Sequence, residues 1–146
     1  MKDVIAEYSV LLSYPKNMVL LVTRLVIAYG FSIPALMKIH DIEATGKWFE
    51  SIGIPFASLT GMLVSGIEMA GIILLTLGLF TRFISVLLSF VMLGAIFFVH
   101  LQHGFSVANN GVEIALYYLI FLMILASFGP GKYSLDHLLF GEGKDA

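Results

Sequence analysis

Cysteine is absent from this 146-residue chain, and charge is scarce, with only 12% of its residues being Asp, Glu, Lys or Arg. The first absence excludes disulfide staples, thiolate metal sites and any thiol–disulfide exchange carried by the chain itself. The second argues against a soluble domain, because at this size the surface-to-volume ratio forces polar residues outward. A formal net charge of −2 offers no attraction to phosphates, so no nucleic-acid partner is expected. Met1 to Lys16 also lacks the pattern of a secretory leader. Lys2, Asp3 and Glu7 interrupt a short apolar run, and no small-x-small cleavage site follows. Low-complexity tracts and clear internal repeats are missing, and the length leaves room for a single domain over residues 1–146.

What is present is grease. Hydrophobic residues make up 59% of the chain and the mean hydropathy is +0.96, so lipid must be the solvent for most of it. A bilayer core of roughly 30 Å needs about 20 apolar residues at 1.5 Å each. Four stretches reach that length, at about 18–37, 56–79, 83–102 and 112–128. The expected fold is therefore all-α, an integral membrane four-helix bundle whose first partner is the lipid bilayer. Only Phe80-Thr81-Arg82 separates the second and third spans, which makes them antiparallel neighbours. With four spans, Lys2, Lys16, Arg82, Lys132 and Lys144 share one side and only Lys38 and Lys47 the other, so both termini are expected in the cytoplasm.

Between the first two spans, Ile42, Thr45, Phe49 and Ile52 recur at helical spacing among Asp41, Glu43, Lys47 and Glu50. That pattern predicts a short amphipathic helix on the membrane interface, beside Trp48, the single tryptophan; the alternative is a plain polar loop. In the second span, Ala57, Gly61 and Ser65 form a small-residue face that lets helices approach closely, and it carries Glu68 inward. A stripe of Ser85, Ser89, Met92, Ile96 and His100 turns His100 inward on the third span.

Ionisable groups at membrane depth cost at least a few kcal/mol each and usually find a partner or line a wet cavity. Glu68 sits near mid-depth. Left unpaired there, a carboxylate takes up a proton and becomes a hydrogen-bond donor, a proton carrier or a ligand for a polar substrate; its bland alternative is a polar staple between helices. Arg24 lies about 9 Å inside the first span. It reads either as a snorkelling residue, as the ion-pair partner of Glu68, or as part of an inward stripe with Phe31 and Lys38 at steps of seven. Asn110-Gly111-Val112-Glu113 has the form of a capping box, with Tyr117 one turn beyond Glu113 on the same face. His100 and His103 are spaced as a metal-binding pair would be, but with no cysteine and few carboxylates nearby no metal is expected. Haem is disfavoured because two axial histidines come from facing helices. Phe31, Phe90, Phe97, Phe98, Phe121, Tyr117 and Tyr118 could sandwich a quinone ring or simply pack.

Taken in order, these pieces resemble the DoxX family of small four-helix bacterial membrane proteins. The resemblance rests on Arg24, Gly30 and Lys38; on Trp48-Phe49 with Gly53-Ile54-Pro55; on Glu68-Met69-Ala70-Gly71; and on Leu77 to Arg82. Asn110 to Glu113 and the closing run from Gly129 to Asp136 complete it, over about residues 20–137. What the resemblance implies is a multi-pass protein of the bacterial inner membrane, a membrane component of a redox system. Quinone is the cofactor it suggests, with a redox protein and a second copy of the chain as candidate partners. On that reading Glu68, Glu113 and His100 are the candidate catalytic groups, and Arg24, Lys38 and Tyr117 the candidate quinone-binding groups. A non-catalytic anchor or assembly partner, and a small-solute or proton pathway, are the competing functions.

Overall fold

The computed structural model describes residues 15–141; Lys2, Lys144 and most of the stretch read for a secretory leader lie outside the described residues. Among the described residues there are helices and no strands. Helix α1 is Lys16–His40 and the short α2 is Ile42–Ser51. They are followed by α3, Ala57–Leu77, and α4, Thr81–Ala95. Beyond Ala95, α4 passes into a π-helical turn, Ile96–His100, and a 3₁₀ turn, Leu101–His103. Helix α5 is Glu113–Phe128, and a last short helix, α6, is Leu135–Phe140. Lys16–His40, Ala57–Leu77 and Thr81–His103 are each long and apolar enough to cross a membrane, and α5 is a shorter apolar helix. These four agree with the expected apolar stretches to within a few residues.

Each helix shows why it packs as it does. On α1 the buried positions are Leu20, Arg24, Ile27, Ala28, Phe31 and Ala35, a stripe at steps of three and four. The small-residue face of α3 is buried as expected: Gly61, Ser65 and Glu68 are all covered, and Gly71 and Leu75 continue the line. Helix α1 packs chiefly on α3, and α4 chiefly on α5. The opposite faces carry exposed Ile33, Leu63, Phe83, Phe90 and Phe97, which need lipid to cover them.

The two ends of the bundle differ. The half nearer Arg82 holds a tight core of Ile27, Leu75, Ile84, Leu88, Leu122 and Leu125. Here α3 and α4 touch so closely that a Cβ on Gly71 would lie 2.8 Å from Leu88 Cδ1. In the half nearer Lys38 the helices part: no residue of α4 beyond Leu88 is fully buried, and a Cβ on Gly94 would meet nothing within 4 Å.

The interfacial helix forms where the amphipathic pattern predicts it. Asp41 caps α2 by accepting from the Ala44 amide at 2.9 Å, and the Thr45 hydroxyl donates to the carbonyl of Lys38, the last turn of α1. Thr45 and Phe49 of the expected stripe are buried against α3, while Ile42 is exposed and Gly46 is buried beside them, so the buried face takes in residue 46 rather than residue 42. Gly46 is the reason. Its missing side chain lets the helix backbone sit on Ser58, whose Cα would be 3.3 Å from a Cβ there.

Candidate functional site

Lys38 stands in the last turn of α1, seven residues beyond buried Phe31 and so on the same inward face. Its ammonium meets both carboxylate oxygens of Glu68, at 2.7 Å to Oε1 and 2.8 Å to Oε2. The Glu68 side chain is 2% exposed and that of Lys38 19%. Glu68 is thus neither unpaired nor partnered by Arg24. Its cation comes from the opposite end of α1, because α1 and α3 run antiparallel and bring residue 38 level with residue 68.

This ion pair forms part of the wall of two cavities. One, of about 310 Å³, lies between α3 and α4 under α2, and its walls are almost wholly apolar: Val64, Ile67, Leu87, Phe90, Gly94 and Phe98. The other, of about 580 Å³, lies among α1, α5 and the end of α4, with His100, Asn110, Tyr118 and Trp48 adding polar atoms to Phe31 and Pro34. Lys38, Glu68, Trp48, Met92, Ala95 and Val99 line both. Both volumes fall at or within the range of about 300–1,000 Å³ typical of small-molecule sites.

Local sequence explains the larger cavity. Pro34 has no amide hydrogen for the carbonyl of Gly30, so the wall carries a break in the helix hydrogen-bond ladder. Gly30 itself leaves the space that the Tyr118 hydroxyl occupies, and Tyr118 meets Phe31 edge-on at 5.5 Å between ring centroids. His100 lies in the π-helical turn, and its Nδ1 is 2.8 Å from the Asn110 carbonyl. Since a carbonyl only accepts, Nδ1 carries the proton and Nε2 is the acceptor in the neutral ring.

The other candidates fall elsewhere. Arg24 is about 21 Å from Lys38 along α1, at 1.5 Å per residue. It is fully buried, donates to the Leu75 carbonyl at 3.0 Å and to the Tyr133 carbonyl, and lines neither cavity. It is neither a snorkelling residue nor the partner of Glu68, but a cap on the C-terminal end of α3. Glu113 does not close a capping box with Asn110. Its carboxylate accepts from the Val107 amide at 2.9 Å and from the Tyr117 hydroxyl at 3.2 Å, while Asn110 takes a left-handed backbone. The expected link between Glu113 and Tyr117 exists, but neither residue lines either cavity. His103 Nδ1 is held by the Val99 carbonyl at 2.9 Å, so the histidine pair is tied separately to backbone.

Of the sequence candidates the structure therefore brings together Glu68, Lys38 and His100, with Tyr118 from the aromatic set, while Trp48 and Asn110 were missed as their companions. The signal for Trp48 was the predicted amphipathic helix, whose position over the bundle sequence periodicity alone does not determine.

Comparison with known proteins agrees with this architecture. The profile of the DoxX family matches residues 19–101, a region that includes Lys38, Trp48, Glu68 and His100. A Haemophilus influenzae protein described as uncharacterized is 37% identical over 123 residues, covering 80% of this chain and 87% of the relative. A Bacillus subtilis protein named "Putative oxidoreductase CatD" is 32% identical over 124 residues, 85% of this chain and 88% of its own. An Escherichia coli protein named "Inner membrane protein YphA" is 31% identical over 130 residues, 83% of this chain and 90% of its own. No solved structure matches the chain significantly.

Proposed function

The chain belongs to the DoxX family, and from that premise we propose that it binds a quinone head group beside Lys38 and Glu68. On this reading it serves as the membrane component of a redox system whose electrons come from a partner redox protein. It crosses the bacterial inner membrane four times with both termini in the cytoplasm. Lys16, Arg82 and Lys132 at one end support that orientation, against Lys38 and Lys47 at the other, where Lys38 is already paired. The names of the Bacillus and Escherichia relatives support the redox and inner-membrane parts of the proposal.

One observation carries it: a buried ion pair forms part of the walls of two cavities that are otherwise mostly apolar. A purely structural pair would be packed on all sides. The residues present fit a quinone, with aromatic walls at Phe31, Trp48 and Tyr118 and a charged donor within the same cavity. When bound, a quinone supplies two-electron, two-proton redox chemistry. Lys38 would hold a quinone carbonyl oxygen by a hydrogen bond and offset negative charge on it. Glu68 holds Lys38 in place and exchanges a proton with it, and His100 offers Nε2 as a second acceptor. Phe31 and Trp48 restrict water. The tight core in the Arg82 half, with Leu75, Leu88, Leu122 and Leu125 fully buried, favours a binding site over a through-pathway in one copy.

The test is gentle purification with native lipids followed by mass spectrometry. Wild-type protein retains quinone in near-stoichiometric amount, and Glu68→Gln loses most of it. Absence of quinone from the wild type, or equal occupancy in both, overturns the proposal.

A further inference from the structure

The smaller cavity has a different character from the larger one. Its walls are the facing sides of α3 and α4. Phe90, in that wall, is 66% exposed, so the mouth lies on the surface that needs lipid. The separation of the two helices is built in: they are pressed together at Gly71 and Leu88 and apart at Gly94, which leaves a wedge closed toward Arg82 and open toward α2. Trp48 and Phe49 of α2 and Ile54 after it form its roof. At its inner end stand Lys38 and Glu68, the only charged groups among its lining residues.

We propose that this wedge is a lateral entry from the bilayer that holds the hydrocarbon tail of an amphiphile whose head occupies the larger cavity beside Lys38 and Glu68. The inference rests on the head-group reading above and adds to it the substrate class, a quinone carrying a long prenyl tail, and the route by which it arrives. The reason is continuity. Lys38, Glu68, Trp48, Met92, Ala95 and Val99 are shared by both cavities, so a ligand reaching the polar chamber through the apolar one lies along a single channel. A head group taken from water would need no apolar groove open to lipid. A tail drawn from lipid does, because it must stay among apolar groups while the head reaches Lys38 and Glu68, and packing along the groove walls adds contacts with length.

Gly94 supplies the test. It lines the wedge, it lies in a helix, and a Cβ there meets nothing within 4 Å, so Gly94→Ala is accommodated without a backbone clash and Gly94→Phe starts from open space and projects its ring into the groove. Gly66 is an exposed helical glycine with equal freedom that lines neither cavity, so Gly66→Phe is the matched control. Binding of a tailless quinone and of quinones with successively longer prenyl tails is followed by saturable quenching of Trp48 in purified protein. In the wild type and in Gly66→Phe, affinity rises with tail length. In Gly94→Phe it is expected to stop rising, with long-tailed quinones weakened by about tenfold or more as the filled groove no longer packs the tail. The tailless quinone binds all three alike, and Gly94→Ala falls between. If tailless and long-tailed quinones both bind but Gly94→Phe weakens neither, the tail site is refuted and the head-group reading stands. If neither binds the wild type, both are refuted.

Discussion

Removing Lys38 should do more damage than removing Glu68, and removing both should do least. In Lys38→Met the carboxylate of Glu68, whose side chain is 2% exposed, loses the cation that meets both its oxygens. Breaking a buried ion pair from one side typically costs about 3–5 kcal/mol. Because the Lys38 side chain is itself 19% exposed, the lower end of that range is expected, about 3 kcal/mol. Glu68→Met leaves an ammonium in the last turn of α1, where a flexible stem can carry it toward the headgroups, so its cost is smaller. The double replacement by methionine removes both desolvation penalties and restores packing, and such replacements are neutral or stabilising by about 1–4 kcal/mol. Unfolding in mixed micelles with increasing denaturing detergent, read from Trp48, measures all four proteins in one cycle. Quinone retention supplies the functional half: the double variant is stable and empty. If the two single losses simply add in the double variant, the pair carries no coupling and the reasoning fails. If the double variant keeps its quinone, the pair is a staple and nothing more.

Other consequences follow from named contacts. Arg24→Lys keeps the charge but not the fork that reaches the Leu75 and Tyr133 carbonyls, so it should lower stability by at least about 1–3 kcal/mol in the same unfolding assay. Asp136→Ala removes the acceptor for the Phe80 and Thr81 amides at 2.7 and 2.9 Å, and a loss of about 0.5–2 kcal/mol is expected from the uncapped start of α4. Gly30→Ala puts a methyl group where the Tyr118 hydroxyl lies, which should push that ring into the larger cavity and reduce quinone retention while Lys38 and Glu68 remain paired.

The helices themselves were legible because lipid imposes a length and each buried face imposes a period. The inward turn of Glu68 followed from the small residues before it, and the seven-residue repeat from Arg24 through Phe31 put Lys38 on the same face. What periodicity could not supply was height. Pairing Glu68 with Lys38 rather than Arg24 depends on where two antiparallel helices sit along their axes, and that comes from the packing of α1 directly on α3. The capping box failed for a local reason. The amides of Asn110 and Glu113, the two donors of the box, are already bonded to the carbonyls of Val107 and Phe105, so the Glu113 side chain turns to the Val107 amide instead. The smaller cavity lay outside what the sequence could show, because it comes from a divergence of α3 and α4 that no single segment encodes.

The closed end of the bundle has a bearing on how the chain is made. Helix α1 reaches the bilayer with Arg24 already in it, yet one of the acceptors for that guanidinium, the Tyr133 carbonyl, is 109 residues downstream. At about 5–20 residues per second that is a delay on the order of 5–20 s, during which a cation waits in the membrane for a segment not yet synthesised. The same segment brings Asp136 to the start of α4, so one late arrival completes two helix ends at once. A polypeptide cut short before Tyr133 would therefore carry an arginine in hydrocarbon with one of its carbonyl acceptors missing. That gives membrane quality control a ready mark by which to tell it from finished protein.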